Sequence, residues 1–176
     1  MHARDALESV LTDPIDNCMK HYFEILQQKL SHVTNSTVDS ILGFEFLPQR
    51  RPRILLQIAA HISGAARYYK HMTNSKHRMG VCIHPVFGGW FSIRGCFVFK
   101  QLLVPHLEPK MAPNVVPDEH RQAELLRLFN EHWQDNSYRD IIPVKTRYSS
   151  LQIHFYTLKP RERRHFIETT ILPMLK

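Results

Sequence analysis

Cysteine is scarce in this 176-residue chain. Cys18, Cys82 and Cys96 make no C-x-x-C pair and are odd in number, which argues against a disulfide framework and for a reducing compartment. No apolar run reaches the length of a membrane span, and Met1-His2-Ala3-Arg4-Asp5 lacks the apolar stretch of a signal peptide. A soluble, unexported, cytoplasmic protein is therefore expected. H-E-x-x-H is absent in spite of twelve histidines. The nearest metal-like cluster, His71, His77, Cys82 and His84, is irregularly spaced, so no metal held by side chains is expected. No internal repeat or low-complexity segment is present.

Charge is plentiful but dispersed. Lys and Arg number 23 against 16 Asp and Glu, a net +7 with pI near 9.5. An anionic partner fits such a balance. The only short basic clusters are Arg50-Arg51-Pro52-Arg53 and Arg161 to Arg164, so no continuous nucleic-acid stripe is evident. Hydrophobic content of 43% and charged content of 22% suit one globular domain with a sizeable core, residues 1–176.

The most informative stretch is Gly80-Val81-Cys82-Ile83-His84-Pro85-Val86-Phe87-Gly88-Gly89-Trp90-Phe91-Ser92-Ile93-Arg94-Gly95. It reads as two strands joined by a Pro- and Gly-bearing turn. Alternation on the second strand sends Phe91, Ile93, Phe97 and Phe99 to one face and Trp90, Ser92, Arg94 and Cys96 to the other. A hairpin closing through Pro85 to Gly89 brings Cys82 and His84 near Ser92 and Arg94. The plain alternative is an amphipathic hairpin over a core, with Gly88-Gly89 as turn chemistry.

Around it, Asp13-Pro14 starts a helix over 14–30 whose apolar face includes Ile15, Cys18, Met19, Tyr22, Leu26 and Leu30. Cys18 reads there as a buried apolar residue. Ser31 to Ser36 reads as a loop, and Leu42, Phe44 and Phe46 as a strand to about Leu47. After a basic turn at Pro48 to Pro52, a helix rich in small residues is expected to about His71. Its stripe of Ile54, Gln57, His61, Ala65 and Tyr68 makes a polar row suited to a site wall. Met72 to Met79 reads as a polar loop. Residues 101–117 form an extended connection. Pro117 and Asp118-Glu119 open a helix that buries Leu125, Leu128, Phe129, His132 and Trp133. Ser149 or Ser150 caps a short helix to about Phe155, and Pro160 opens the last one. The order predicts an α+β layer fold, an antiparallel sheet packed by helices.

G-V-C-I-H-P-x-F-G-G-W-F-x-I-R-G resembles the signature of the methylmalonic aciduria and homocystinuria type C family, cytosolic cobalamin-processing enzymes. Leu11-Thr12-Asp13-Pro14-Ile15-Asp16, Arg50 to Leu55, Ala59 to Ala66 and Tyr138-Arg139-Asp140 resemble further blocks of that family, in order, over about residues 11–167. The resemblance implies a nitroreductase-like flavoprotein scaffold. It implies glutathione-dependent dealkylation of alkylcobalamins, and reductive decyanation of cyanocobalamin with electrons from NADPH through FMN or FAD. Positions matching the family's corrinoid contacts are Gly43, Ile54, Leu55, Leu56, Gln57, Tyr68, Tyr69, Lys70, Cys82 and Ile93. His61 matches a histidine beside the cobalamin site, and Arg94, Arg139 and Arg163 match the arginines associated with glutathione. The thiol substrate then supplies the nucleophile, so no catalytic side chain is expected. Implied partners are the methylmalonic aciduria and homocystinuria type D protein and downstream cobalamin enzymes such as methionine synthase, with neither nucleic acid nor membrane.

Family members carry an additional N-terminal portion before the Leu11 block, so either a sheet lacking a strand or a shortened form is expected here. Arg67 and Lys70 stand where mammalian members have Tyr and Gln, and Cys96 adds a thiol. A non-catalytic cobalamin carrier and a basic nucleic-acid-binding domain are the competing readings.

Overall fold

The computed structural model describes residues 14–71 and 78–175. Asp13, the Leu11 block before Pro14, His77 and most of the expected 72–79 loop lie outside the described residues. Two compact units emerge, one of residues 1–29 with 148–176, the other of residues 30–147. Among the described residues no helix is long and apolar enough to cross a membrane.

Helix α1 runs Pro14–Thr34, one turn beyond the expected end, so Ser31 to Thr34 are helical rather than loop. Ser31 remains compatible with the turn that follows because its hydroxyl accepts from the Val38 N–H (3.3 Å). No residue of α1 is buried, and Cys18 is exposed, which corrects its reading as a core residue. Periodicity names the apolar face of a helix but not whether anything covers it.

In residues 30–147, β1 (Val38–Leu42) pairs antiparallel with β4 (Gly95–Phe99), Val38 opposite Phe99 and Leu42 opposite Gly95. The strand expected at 42–47 therefore sits earlier, and only a single bridge joins Phe46 to Pro52. Helix α2 (Leu56–Ile62) is short. Gly64 then takes φ +76°, which most β-carbon-bearing residues do not adopt cheaply, and the chain turns into strand β2 (Arg67–Tyr69). The single helix expected to His71 is thus a helix, a turn and a strand, and Tyr68 leaves the α2 stripe.

Strand β3 (Val81–Ile83) pairs with β2, Tyr68 opposite Cys82. The expected pairing of the 81–83 and 90–99 segments does not form: β3 and β4 belong to separate two-stranded sheets. Only the tip of the hairpin exists, with His84 and Gly88 exchanging backbone hydrogen bonds (2.8 and 2.9 Å). Residues 101–117 carry no regular element, as expected.

Helix α3 (Glu119–Glu131) starts at Asp118, whose carboxylate accepts from the Arg121 N–H (2.8 Å). Leu125 and Leu126 are buried there, whereas His132 and Trp133 are exposed, Trp133 by 57%. The helix ends before them, so neither joins the expected face. Two 3-10 turns follow, Trp133–Asp135 and Ser137–Asp140, separated by Asn136 in the left-handed region. The core of this unit is Tyr69, Val81, Ile83, Val116, Leu125, Leu126, Tyr138, Ile141 and Ile142. A smaller cluster of Ala60, Ala66 and Cys82 packs with Tyr68, Phe91 and Ile93.

In the other unit, Ser149 caps α4 (Ser150–Thr157) in a reciprocal box with Gln152. Pro160 opens α5 (Pro160–Phe166), which continues as a π turn, Ile167–Ile171. Arg163 lies over the Phe155 ring at 5.2 Å and its Nε donates to the Leu158 carbonyl (3.3 Å).

Candidate functional site

A cleft of about 220 Å³ in the 30–147 unit is walled by three separate chain segments. Helix α2 supplies Leu56 and Gln57. Strand β3 and the chain after its turn supply Val81, Cys82, Gly89, Phe91, Ser92 and Ile93. Helix α3 and the turn beyond it supply Phe129, Tyr138 and Arg139. Five residues expected at the site, Leu56, Gln57, Cys82, Ile93 and Arg139, meet here.

Cys82 is 5% exposed, and its Sγ–H donates to the Gln57 carbonyl (3.3 Å). Burial pushes the thiol up to about 11, so at neutral pH it stays protonated and is no nucleophile. Among the described residues the Gln57 side-chain Oε1 is buried with no hydrogen-bond partner. A buried acceptor left unmet in a cleft wall suits a ligand that brings N–H or O–H groups.

Gly43 supports this wall from behind. Its N–H donates to the Arg94 carbonyl (2.7 Å), and a β-carbon there would lie 2.5 Å from Leu56 Cδ1. Arg94 is half-buried and reaches the site through that backbone contact rather than by lining the cleft. His61 Nδ1 accepts from the Tyr68 N–H (3.4 Å), which leaves its proton on Nε2 in the neutral ring. Tyr69 is 4% exposed; its hydroxyl donates to Asn114 Oδ1 and accepts from the Val116 N–H, both at 3.0 Å. It serves the core. Ile54 is half-buried, while Leu55 and Lys70 are exposed. Arg163 belongs to the other unit.

The glycines of the signature have two duties. Gly88 has φ +56° and closes the turn. Gly89 makes room for another backbone: a β-carbon there would sit 2.7 Å from Arg139 Cα, and its N–H donates to the Arg139 carbonyl (2.9 Å). What approaches these glycines is the chain itself. The Arg139 side chain donates back to the Gly89 carbonyl and, through Nε, to Asn136 Oδ1 (2.9 Å). Its guanidinium lies over the rings of Tyr138 (4.9 Å) and Trp90 (5.5 Å). Trp90, 7% exposed, is fixed by its Nε1–H to Asp140 Oδ1 (2.8 Å).

The expected gathering of thiol, imidazole, guanidinium and indole is thus partly realised. Cys82 lines the cleft, the cleft's guanidinium is Arg139, and Trp90 packs beneath Arg139 without lining the cleft. His84 instead holds the turn, Nδ1 accepting from the N–H groups of Val86 (3.1 Å) and Phe87 (3.3 Å). Phe129 and Tyr138 escaped the sequence reading as site residues. Phe129 was visible only as part of a helix's apolar face, and Tyr138 only as the neighbour of Arg139. Among the described residues no group of three His, Cys, Asp or Glu could hold a metal ion.

A sequence model of the methylmalonic aciduria and homocystinuria type C family matches residues 2–167. The Gallus gallus cyanocobalamin reductase / alkylcobalamin dealkylase is 42% identical over 92% of this chain and 69% of its own length. The Homo sapiens protein of the same name is 38% identical over 88% of this chain and 56% of its own. A crystal structure of a C. elegans B12-trafficking protein, CblC, superposes with a TM-score of 0.78 at 27% identity, over 92% of this chain and 66% of that one. The chain therefore spans between 56% and 69% of the length of these relatives.

Proposed function

The chain belongs to the methylmalonic aciduria and homocystinuria type C family, and from that premise we propose that it binds cobalamin base-off and removes the upper axial ligand. The observation that carries this is the cleft, which draws Leu56, Gln57, Cys82, Ile93 and Arg139 from distant segments into one wall. These are positions that the resemblance assigns to corrinoid and thiol contact.

About 220 Å³ is below the roughly 300–1,000 Å³ usual for small-molecule sites. It takes an edge or an arm of a corrinoid, not the whole ring. Turned into the cleft, the Gln57 carboxamide, whose buried Oε1 has no partner among the described residues, accepts from the primary amides that fringe a corrin. With its base displaced, cobalt is easier to reduce and cob(I)alamin leaves more readily. For an alkylcobalamin, glutathione thiolate attacks the alkyl carbon. The C–S bond forms, and the C–Co electron pair departs with cobalt. Arginine receives a glutathione carboxylate as a planar, permanently charged donor, and positive charge favours thiolate over thiol. Cys82, protonated and hydrogen-bonded to Gln57, leaves the nucleophile's role to glutathione.

Decyanation of cyanocobalamin needs a reductant, for which the reading takes NADPH through FMN or FAD. The cleft is too small for an isoalloxazine beside a corrin, so no flavin is assigned to it as a resident group. The nitroreductase-like scaffold, a cytoplasmic location and hand-over to the type D protein and to methionine synthase come with the same reading. They rest on the resemblance. His61, Tyr68, Lys70, Ile54, Leu55 and Arg94 are the further proposed contacts of this unit, and Arg163, in the other unit, keeps only the glutathione role that the resemblance implies.

The test is a visible spectrum of methylcobalamin with the protein. Saturating protein should convert base-on bands to base-off, and added glutathione should then produce the reduced-cobalt spectrum. An unchanged base-on spectrum overturns the proposal. A base-off shift with no response to glutathione replaces the enzyme with a carrier.

A further inference from the structure

We infer that Asn136 is the positioning residue that aims the Arg139 guanidinium into the cleft, where it receives a carboxylate of the thiol substrate. The inference rests on the proposed glutathione-dependent reaction and adds a residue to it.

Stacking and hydrogen bonding constrain Arg139 in different ways. The Tyr138 and Trp90 rings hold the guanidinium carbon at 4.9 and 5.5 Å, and a cation over a ring can still slide and rotate. Two directional contacts remove this freedom: Nη1 to the Gly89 carbonyl and Nε to Asn136 Oδ1 (2.9 Å). The first acceptor is backbone, itself tied down by Gly89 N–H to the Arg139 carbonyl (2.9 Å). The second is the one side chain of the pair. With Nε held by Asn136, a side-on fork through Nε is closed to a ligand.

Asn136 is suited to this task by its backbone. At φ 63°, ψ 9° it occupies the left-handed region between two 3-10 turns, where Asn, Asp and Gly are the tolerated residues. Its own carbonyl accepts from the Arg139 N–H (2.9 Å), so main chain and side chain of residue 136 both grip residue 139. The conformation also supplies usable variants. Asn136→Gly keeps the left-handed turn and deletes the acceptor together with a long Nδ2 contact to the Gln134 carbonyl (3.5 Å), whereas Asn136→Asp keeps the turn and the acceptor and loses only that long contact.

The experiment uses the full chain with bound methylcobalamin and varies glutathione. Asn136→Gly should raise KM for glutathione roughly five- to tenfold and leave kcat within about twofold. Melting temperature and the base-off spectrum should stay those of the wild type. Asn136→Asp should return KM to within about twofold of wild type. Combining Asn136→Gly with Arg139→Lys should be no worse than Arg139→Lys alone, because both changes remove the same aimed contact. An unaltered KM in Asn136→Gly, while the wild type turns over, overturns the inference. So does an unrescued Asn136→Asp, or additive effects in the double variant. A wild type that ignores glutathione fails at the earlier step and overturns the proposed reaction together with this inference.

Discussion

At the scale of single residues, Cys82 links packing to chemistry. It is opposite Tyr68 in the β2–β3 pair and almost fully buried, and a thiol raised to about 11 by burial holds very little thiolate at neutral pH. Relative to a thiol at the ordinary value of about 8.5, its reaction with iodoacetamide at pH 7.5 should be slower by roughly a few hundredfold. Exposed Cys18 should label first, as mass spectrometry of peptides over time would show. Labelling of Cys82 at the Cys18 rate would remove the argument that glutathione alone supplies the nucleophile. The sequence revealed Cys82 through its motif but misjudged Cys18, because an apolar stripe on a helix does not reveal its cover. Asn136 was not legible at all: nothing in Asp-Asn-Ser-Tyr announces a left-handed residue whose carboxamide holds an arginine.

At the scale of elements, the turn His84–Gly88 is a pH-sensitive clasp on the cleft wall. Neutral His84 accepts two backbone N–H groups through Nδ1, and its ring packs on Phe91 at 5.5 Å, which lines the cleft. Protonation converts that acceptor to a donor facing donors. Burial lowers the His84 pKa below its ordinary 6.5. Between the unfolded and folded values the unfolded chain binds more protons, so stability rises with pH there. The clasp is therefore fully effective above about pH 6.5 and is lost as pH falls through the folded value. Wild-type melting temperature should drop from pH 7 to pH 5 more steeply than that of His84→Asn, whose Oδ1 accepts without titrating. Parallel curves would clear His84 of the role. The turn itself was readable from Pro85 and Gly88-Gly89. The partners of the flanking strands were not, since alternation in 90–99 says which side chains share a face and nothing about which strand lies alongside. Likewise, small residues at 59–66 fit a helix until Gly64 breaks it with a positive φ.

At the scale of the molecule, the balance of +7 bears on the proposed anionic co-substrate. Glutathione binding should weaken as salt rises from about 0.01 to about 0.15 M, over which the Debye length falls from about 30 to about 8 Å. A rise in KM of roughly two- to threefold is expected, measured with methylcobalamin saturating. A KM independent of salt would limit the recognition to contacts at close range. The sheets carry a different consequence. The β2–β3 pairing of residues 67–69 with 81–83 is nested inside the β1–β4 pairing of residues 38–42 with 95–99. In folding, the outer pair closes a loop roughly four times as long as the inner, about 1.2 kcal/mol more in chain entropy if closed unaided. The inner ribbon therefore zips early and shortens the remaining search, and the outer pair clasps around it late. Cys82 is on the early ribbon, while Ile93 enters with the late one. The cleft wall is thus among the last features the chain acquires and the first that a loosened outer strand gives up.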